Sequence, residues 1–282
     1  MSKILSIQVS SHGAELQSLI ANGREYLWQG DSAYWARRAP ILFPIVGRLA
    51  NDILRIDGRE YSMKQHGFAR DAEFIQRDGK YVLAEEGRDN YPYPYELSVS
   101  YAIEGNTLKC DWKVKNCGNK TMYFQIGAHP AFMLSDYNTA DEIHGYIQCF
   151  DADNNIVSPS LFNRLEDGLR VPYAAPKTLL NEKAILPLTN TTFADGAILI
   201  EAKQIAKVAL FDKQGKEILA VSCPQADAFG LWAPNKSGCP FVCIEPWCGI
   251  ADIMGFKGDI SERDCICSLG PNEKFKYSIS IG

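Results

Sequence analysis

Along much of this chain apolar side chains recur at every second position, and that regularity restricts the fold more than any other feature. In YELSVSYAI, residues 95–103, Tyr95, Leu97, Val99, Tyr101 and Ile103 alternate with Glu96, Ser98 and Ser100. In the following LKCDWKVKN, Leu108, Cys110, Trp112 and Val114 share one face and Lys109, Asp111 and Lys113 the other. A period of two belongs to strands, whose successive side chains point to opposite sides. Glu104-Gly105-Asn106 between the runs supplies the turn of a hairpin. The pattern recurs in AILIEA, in KVALFD and in EILAVSC, with Lys213-Gln214-Gly215-Lys216 as a second turn. Asn22-Gly23 between SLIA and REYLW predicts a third hairpin near the start. No amphipathic run of three helical turns stands out, although short helical turns are expected near 33–38 and 160–164.

These strands need a core, and composition provides one: of 282 residues, 46% are hydrophobic and 22% charged. A chain of that size and polarity buries a large apolar interior. A single sheet does not enclose it, so two packed sheets are predicted. No linker, charge block or fixed-period repeat divides the sequence. Residues 1–282 are therefore expected to form a single all-β domain, a large antiparallel β-sandwich, with 151–160 and 257–264 as solvent-facing loops.

Charge and cysteine usage narrow the partners. A formal net charge of -5 argues against nucleic acid or an anionic membrane surface, both of which favour a basic patch. TMYFQIGAHPAFMLS is the longest uncharged run around the Gly-His-Pro segment, and it is shorter than the roughly 20 apolar residues that span a bilayer. MSKILSIQVSSHGAEL has no apolar stretch of the secretory type, so a cytoplasmic location is expected. Nine cysteines in such a chain read as reduced thiols packed as small hydrophobes.

Five stretches break the alternation and gather a titratable residue among Gly, Pro and apolar neighbours: RRAPILFPIVGRLAN, KQHGFARD, QIGAHPAF, TFADGAIL and CIEPWCGIAD. Arg48, His66, His129, Asp195 and Glu245 are the residues concerned. Glu245 follows FVCI, where a carboxylate is either desolvated or paired with a cation. His129 lies between apolar residues, and His66 precedes a glycine that lets the backbone turn its ring toward a sheet edge. His12 and His144 have polar neighbours and read as surface residues. A buried core histidine, a surface arginine at the end of PIVGR and a plain Ala-Asp-Gly turn are the structural alternatives for His129, Arg48 and Asp195. There is no HxH or HExxH spacing, no CxxC pair and no GxSxG elbow, so neither a metal nor a covalent nucleophile is expected. General acid and base chemistry remains, with a carboxylate taking a proton while an imidazole gives one.

With VGRLAN, HGFAR, YPYPYEL, GAHPAF and EPWCGIAD in this order, the chain resembles the aldose 1-epimerase (galactose mutarotase) family, in its shorter branch, from GAELQSL to the EPW region. The resemblance implies a mutarotase that interconverts the α and β anomers of a hexose on a galactose mutarotase-like sandwich, using no cofactor and no metal. It implies Glu245 as base on the C1 hydroxyl, His129 as acid toward the ring oxygen and His66 as second donor. Arg48, Asp195 and Arg38 are then the sugar-binding residues. The partner is a small-molecule sugar, and a hexose phosphate is the alternative, with Arg37, Arg38 and Arg70 available to a phosphate. A non-catalytic sugar-sensing protein is the further alternative. RRAPILFPIVGR departs from the form found in the longer family members, which leaves the choice of sugar open.

Overall fold

The computed structural model describes residues 5–160, 162–171, 184–236 and 238–282, with Phe162 and Arg164 described by backbone alone. Among the described residues the chain is all-β, a large antiparallel sandwich of a ten-stranded and an eight-stranded sheet, with smaller sheets at its margins. The hairpin read from alternation is there: Tyr95–Glu104 and Thr107–Asn116 pair antiparallel, with Leu108 opposite Ile103 and Trp112 opposite Val99. Its inward face holds for Leu97, Val99, Trp112 and Val114, all buried, but Ile103, next to the turn, is exposed. The hairpin Lys207–Phe211 and Glu217–Ser222 forms around the predicted turn, with Gly215 at φ +77°. The Asn22-Gly23 turn joins Leu16–Ala21 to Arg24–Glu25, and both turn residues take positive φ as a tight hairpin requires.

The eight-stranded sheet carries Glu245. Its central strand, Phe241–Cys248, is flanked by Ala228–Trp232 on one side and by Ile126–Ala128 and Ala131–Met133 on the other. Alternation sorts the central strand cleanly. Val242, Ile244 and Cys248 enter the core shared with the ten-stranded sheet, whereas Phe241, Cys243 and Trp247 belong to two clusters on the opposite face. Period two therefore puts Glu245 on that outer face, which loops cover, since all eight residues of the strand are buried. A hydrogen bond of 2.7 Å from Tyr277 Oη to the Pro246 carbonyl, deep in the core, ties the two sheets together.

Three expectations are corrected. Residues Phe162–Glu166 form a strand on Ile198–Ile200 rather than a helical turn, because an open sheet edge offers ladder hydrogen bonds that a single helical turn lacks. Residues 33–38 form no helix, but a single turn begins just before them, in which the Tyr34 and Trp35 N–H groups donate to the Asp31 carbonyl, the second with helical spacing. His144 is buried, not superficial, and its Nε2 lies 3.0 Å from Asn190 Oδ1. The loop at 257–264 contains the 3-10 turn Ile260–Glu262, capped by Asp259. All nine cysteines are free thiols, although Cys117 and Cys265 are exposed rather than packed. No described helix is long and apolar enough to cross a membrane.

Candidate active site

Sheet register brings the first pair together. Gly127 lies opposite Trp247, and Ala131 opposite Cys243. His129, midway between Gly127 and Ala131 in the short link joining their strands, thus stands across from Glu245, midway between Trp247 and Cys243, where opposed side chains are within reach. Pro130 cannot donate to the central strand, but its carbonyl accepts the Ile244 N–H at 3.2 Å, and on the opposite side the His129 N–H donates to the Pro40 carbonyl at 3.1 Å. His129 Nε2 comes within 3.2 Å of Glu245 Oε2. On the other flank of the strand Glu245 faces Gly230, where a side chain would crowd the carboxylate: a Cβ would lie 3.3 Å from Glu245 Cβ.

His66 arrives from a loop and is locked by the backbone. Its N–H donates to the Gly47 carbonyl at 2.8 Å, and the Gly47 N–H donates back to His66 Nδ1 at 3.1 Å. Since Nδ1 accepts, a neutral His66 carries its proton on Nε2 and offers it as a donor. The turn that permits this is tight: His66 itself has φ +67° and Gly67 φ +71°, and a Cβ at Gly67 would sit 2.2 Å from the Phe43 carbonyl oxygen. The His66 and His129 rings meet edge to face at 5.4 Å, and Trp247 touches His66 at 5.8 Å. Trp35 stacks on His129 at 4.8 Å, and Trp232 meets it edge-on at 5.7 Å.

Electrostatics follow from burial. Glu245 is 2% exposed, and burial pushes its carboxyl well above the ordinary carboxylate range, with the Trp247 indole opposing this in part. Burial likewise lowers His129, and the charges of Arg70 and Arg37 lower it further. His66 is lowered by burial first, then by His129, Arg70 and Arg37. The carboxyl and the imidazoles therefore all resist net charge. At the same place, among the described residues, His129 Nδ1 is buried without a hydrogen-bond partner, and Glu245 Oε2 has only the 3.2 Å approach of His129 Nε2 in place of a regular hydrogen bond. Protein interiors rarely leave such atoms unused unless a ligand completes them.

The other expected residues are placed differently. Arg48 neighbours Gly47, but its guanidinium is held by Asp52, through Nε at 2.8 Å and Nη2 at 2.9 Å, and by Asp167. Arg38 directs its guanidinium to the Gln17 side chain and the Gln29 carbonyl. Asp195 is exposed in the turn before Ile198–Ile200. Arg70 and Arg37 do stand near the histidines. One carboxylate, Asp71, serves both, 2.8 Å from Arg37 and 3.9 Å from Arg70. Sequence reasoning passed over Trp35, whose only signal is an aromatic pair, YW, in an otherwise polar loop, and Cys243, which sits at strand spacing from Glu245 on the same face.

The arrangement is a buried carboxyl facing an imidazole, with a second, pre-oriented imidazole and an aromatic wall: a proton acceptor and donors within reach of one another. The sequence profile described as Aldose 1-epimerase matches residues 2–282. Protein LacX, chromosomal, of Lactococcus lactis subsp. lactis is 31% identical over 292 residues, which cover 98% of this chain and 96% of that protein. A galactose mutarotase related enzyme from Lactobacillus acidophilus superposes with a TM-score of 0.83 at 30% identity, covering 100% of this chain and 95% of that one. A galactose mutarotase-like protein from Lactobacillus casei ATCC 334 gives 0.81 at 26% identity, over 99% of each chain. With the fold and a match along nearly all its length in common with these proteins, the chain belongs to the aldose 1-epimerase family.

Proposed function

We propose that this chain interconverts the α and β anomers of a hexose by acid and base catalysis. The observation that carries this reading is the buried pair Glu245 and His129, 3.2 Å apart, with His129 Nδ1 left without a partner among the described residues. Glu245 takes the proton of the C1 hydroxyl while His129 gives one to the ring oxygen. The bond from C1 to the ring oxygen breaks, leaving an open-chain aldehyde. Rotation about the C1–C2 bond and reclosure with the proton transfers reversed yields the other anomer. His66, with its Nε2 proton fixed by the Gly47 N–H, donates to the ring oxygen or an adjacent hydroxyl. Burial supports the base role, because a desolvated carboxylate binds a proton more strongly.

A second reading, a hexose 6-phosphate as substrate, is favoured by Arg37 and Arg70 sharing the single carboxylate of Asp71, which leaves one positive charge uncompensated near the histidines. Arg48, Arg38 and Asp195 belong to sugar binding in this proposal only where substrate exchanges for their present partners. The test is the rate at which fresh α-D-galactose, α-D-glucose and α-glucose 6-phosphate reach anomeric equilibrium, followed by polarimetry or proton NMR. Acceleration by the wild type, lost in Glu245→Gln, supports the mutarotase and ranks the sugars. Saturable binding without acceleration sinks it in favour of a sugar sensor.

A further inference from the structure

Cys243 has no part in the reaction above, yet it shares a strand face with Glu245 two residues on. One ligand atom each from Cys243, Glu245 and His129 all lie within 4.8 Å of one another, and all three residues are buried. Two of them have polar atoms not satisfied by regular hydrogen bonds among the described residues: His129, 7% exposed, at Nδ1, and Glu245 at Oε2, whose neighbour is the ring of His129 at 3.2 Å. We propose that these three side chains form a binding site for a borderline-soft divalent cation of the Zn²⁺ type, and that occupancy blocks the acid and base by taking both as ligands.

The chemistry of the donors selects the ion. One thiolate, one imidazole and one carboxylate suit zinc, whereas Mg²⁺ and Ca²⁺ prefer oxygen alone. Zinc holds its ligands at about 2.0–2.3 Å, so the three atoms need only draw together by roughly 1 Å, within the reach of side-chain torsions. Three protein ligands leave a fourth position for a small exogenous donor, as in open zinc sites. On binding, the Cys243 thiol gives up its proton to solvent, and no electron is transferred. The spacing of the sequence hides the site. Cys243 and Glu245 are strand neighbours, while His129 comes from the link between two other strands through the same register that builds the acid–base pair. Binding as such stands independently of turnover; only the inhibitory consequence rests on the mutarotase reading.

The test is titration of EDTA-stripped protein with Co²⁺, read by the thiolate-to-cobalt charge-transfer absorption and by quenching of tryptophan fluorescence, since Trp35 and Trp232 flank His129. One equivalent of Co²⁺ is expected to develop the band and Zn²⁺ to bleach it. Cys243→Ala is expected to abolish the band and to weaken Zn²⁺ binding beyond the about 10–100-fold typical of changes outside the ligand set. Cys243→Ser, which keeps the volume, replaces it if the alanine variant does not fold. Anomerisation by the wild type is expected to fall in step with occupancy and return with EDTA, each variant being scored against its own metal-free rate. Absence of the band in the wild type, or its survival in the Cys243 variants, overturns the site. A normal band in a protein that turns over no sugar when metal-free keeps the site and removes the reaction it is held to block.

Discussion

Asp252 and Glu245 are both buried carboxylates, and the molecule treats them in opposite ways. Both oxygens of Asp252 are engaged, Oδ1 by Arg263 Nε at 2.7 Å and Oδ2 by the Ala50 N–H at 3.0 Å. Among the described residues Glu245 has no arginine or lysine ion pair, and an imidazole whose own protonation burial opposes lies 3.2 Å away. The first arrangement compensates a charge and holds loops together. The second leaves proton affinity unspent, which is what a base needs. A carboxylate in an apolar strand thus signals stability or chemistry according to whether its partners are complete.

Breaking the incomplete centre should have the largest effect on activity and the least on folding. Glu245→Gln is expected to slow anomerisation by about 10²–10⁴-fold, the usual contribution of a positioned acid or base, while the urea midpoint stays close to wild type. Breaking the complete centre should do the reverse. In Asp252→Ala the buried Arg263 loses its counter-charge, and urea unfolding is expected to show a loss of about 3–5 kcal/mol, with the rate per folded molecule little changed.

Gly67→Ala joins the two regimes, since the added Cβ meets the Phe43 carbonyl at the turn that aims His66. It is expected to cost about 1–3 kcal/mol of stability and, unlike Asp252→Ala, to lower the rate per folded molecule as well. Equal rates would mean that the placement of His66 does not matter.

The smallest effect sharpens the comparison at the surface. Hydrogen bonding to Arg48 holds Asp52 below its ordinary value. On unfolding its pKa returns to about 3.9, so the unfolded chain takes up the proton first as acid is added. The stabilisation is full above about pH 4 and is lost as pH falls through the lower folded-state value. Asp52→Asn should therefore lower the urea midpoint near neutrality and converge with wild type in acid. The difference is expected to stay below about 1 kcal/mol because the pair is partly exposed and screened.

Much of this was legible along the chain. The hairpin of Tyr95–Glu104 and Thr107–Asn116, the turns at Asn22-Gly23 and Gly215, and the isolation of Glu245, His129 and His66 as unusual residues all follow from local pattern. The strand at Phe162–Glu166 was misread because its ladder partner, Ile198–Ile200, is distant in sequence, and His144 because burial depends on what packs over a residue, not on its neighbours in sequence. Arg48 is held by Asp52, four residues on, and by Asp167, far along the chain, and the second of these partners is visible in the fold alone.

The sequence by itself determined the period-two strands, the turns between them and the side of the strand on which Glu245 emerges, since each depends only on backbone stereochemistry and the order of apolar and polar residues. Tertiary structure alone decided that His129 stands opposite Glu245, that Cys243 shares their space and that Gly47 fixes the proton of His66. Those relations are set by strand register and loop closure, which bring together groups whose separation along the chain carries no information about their separation in space.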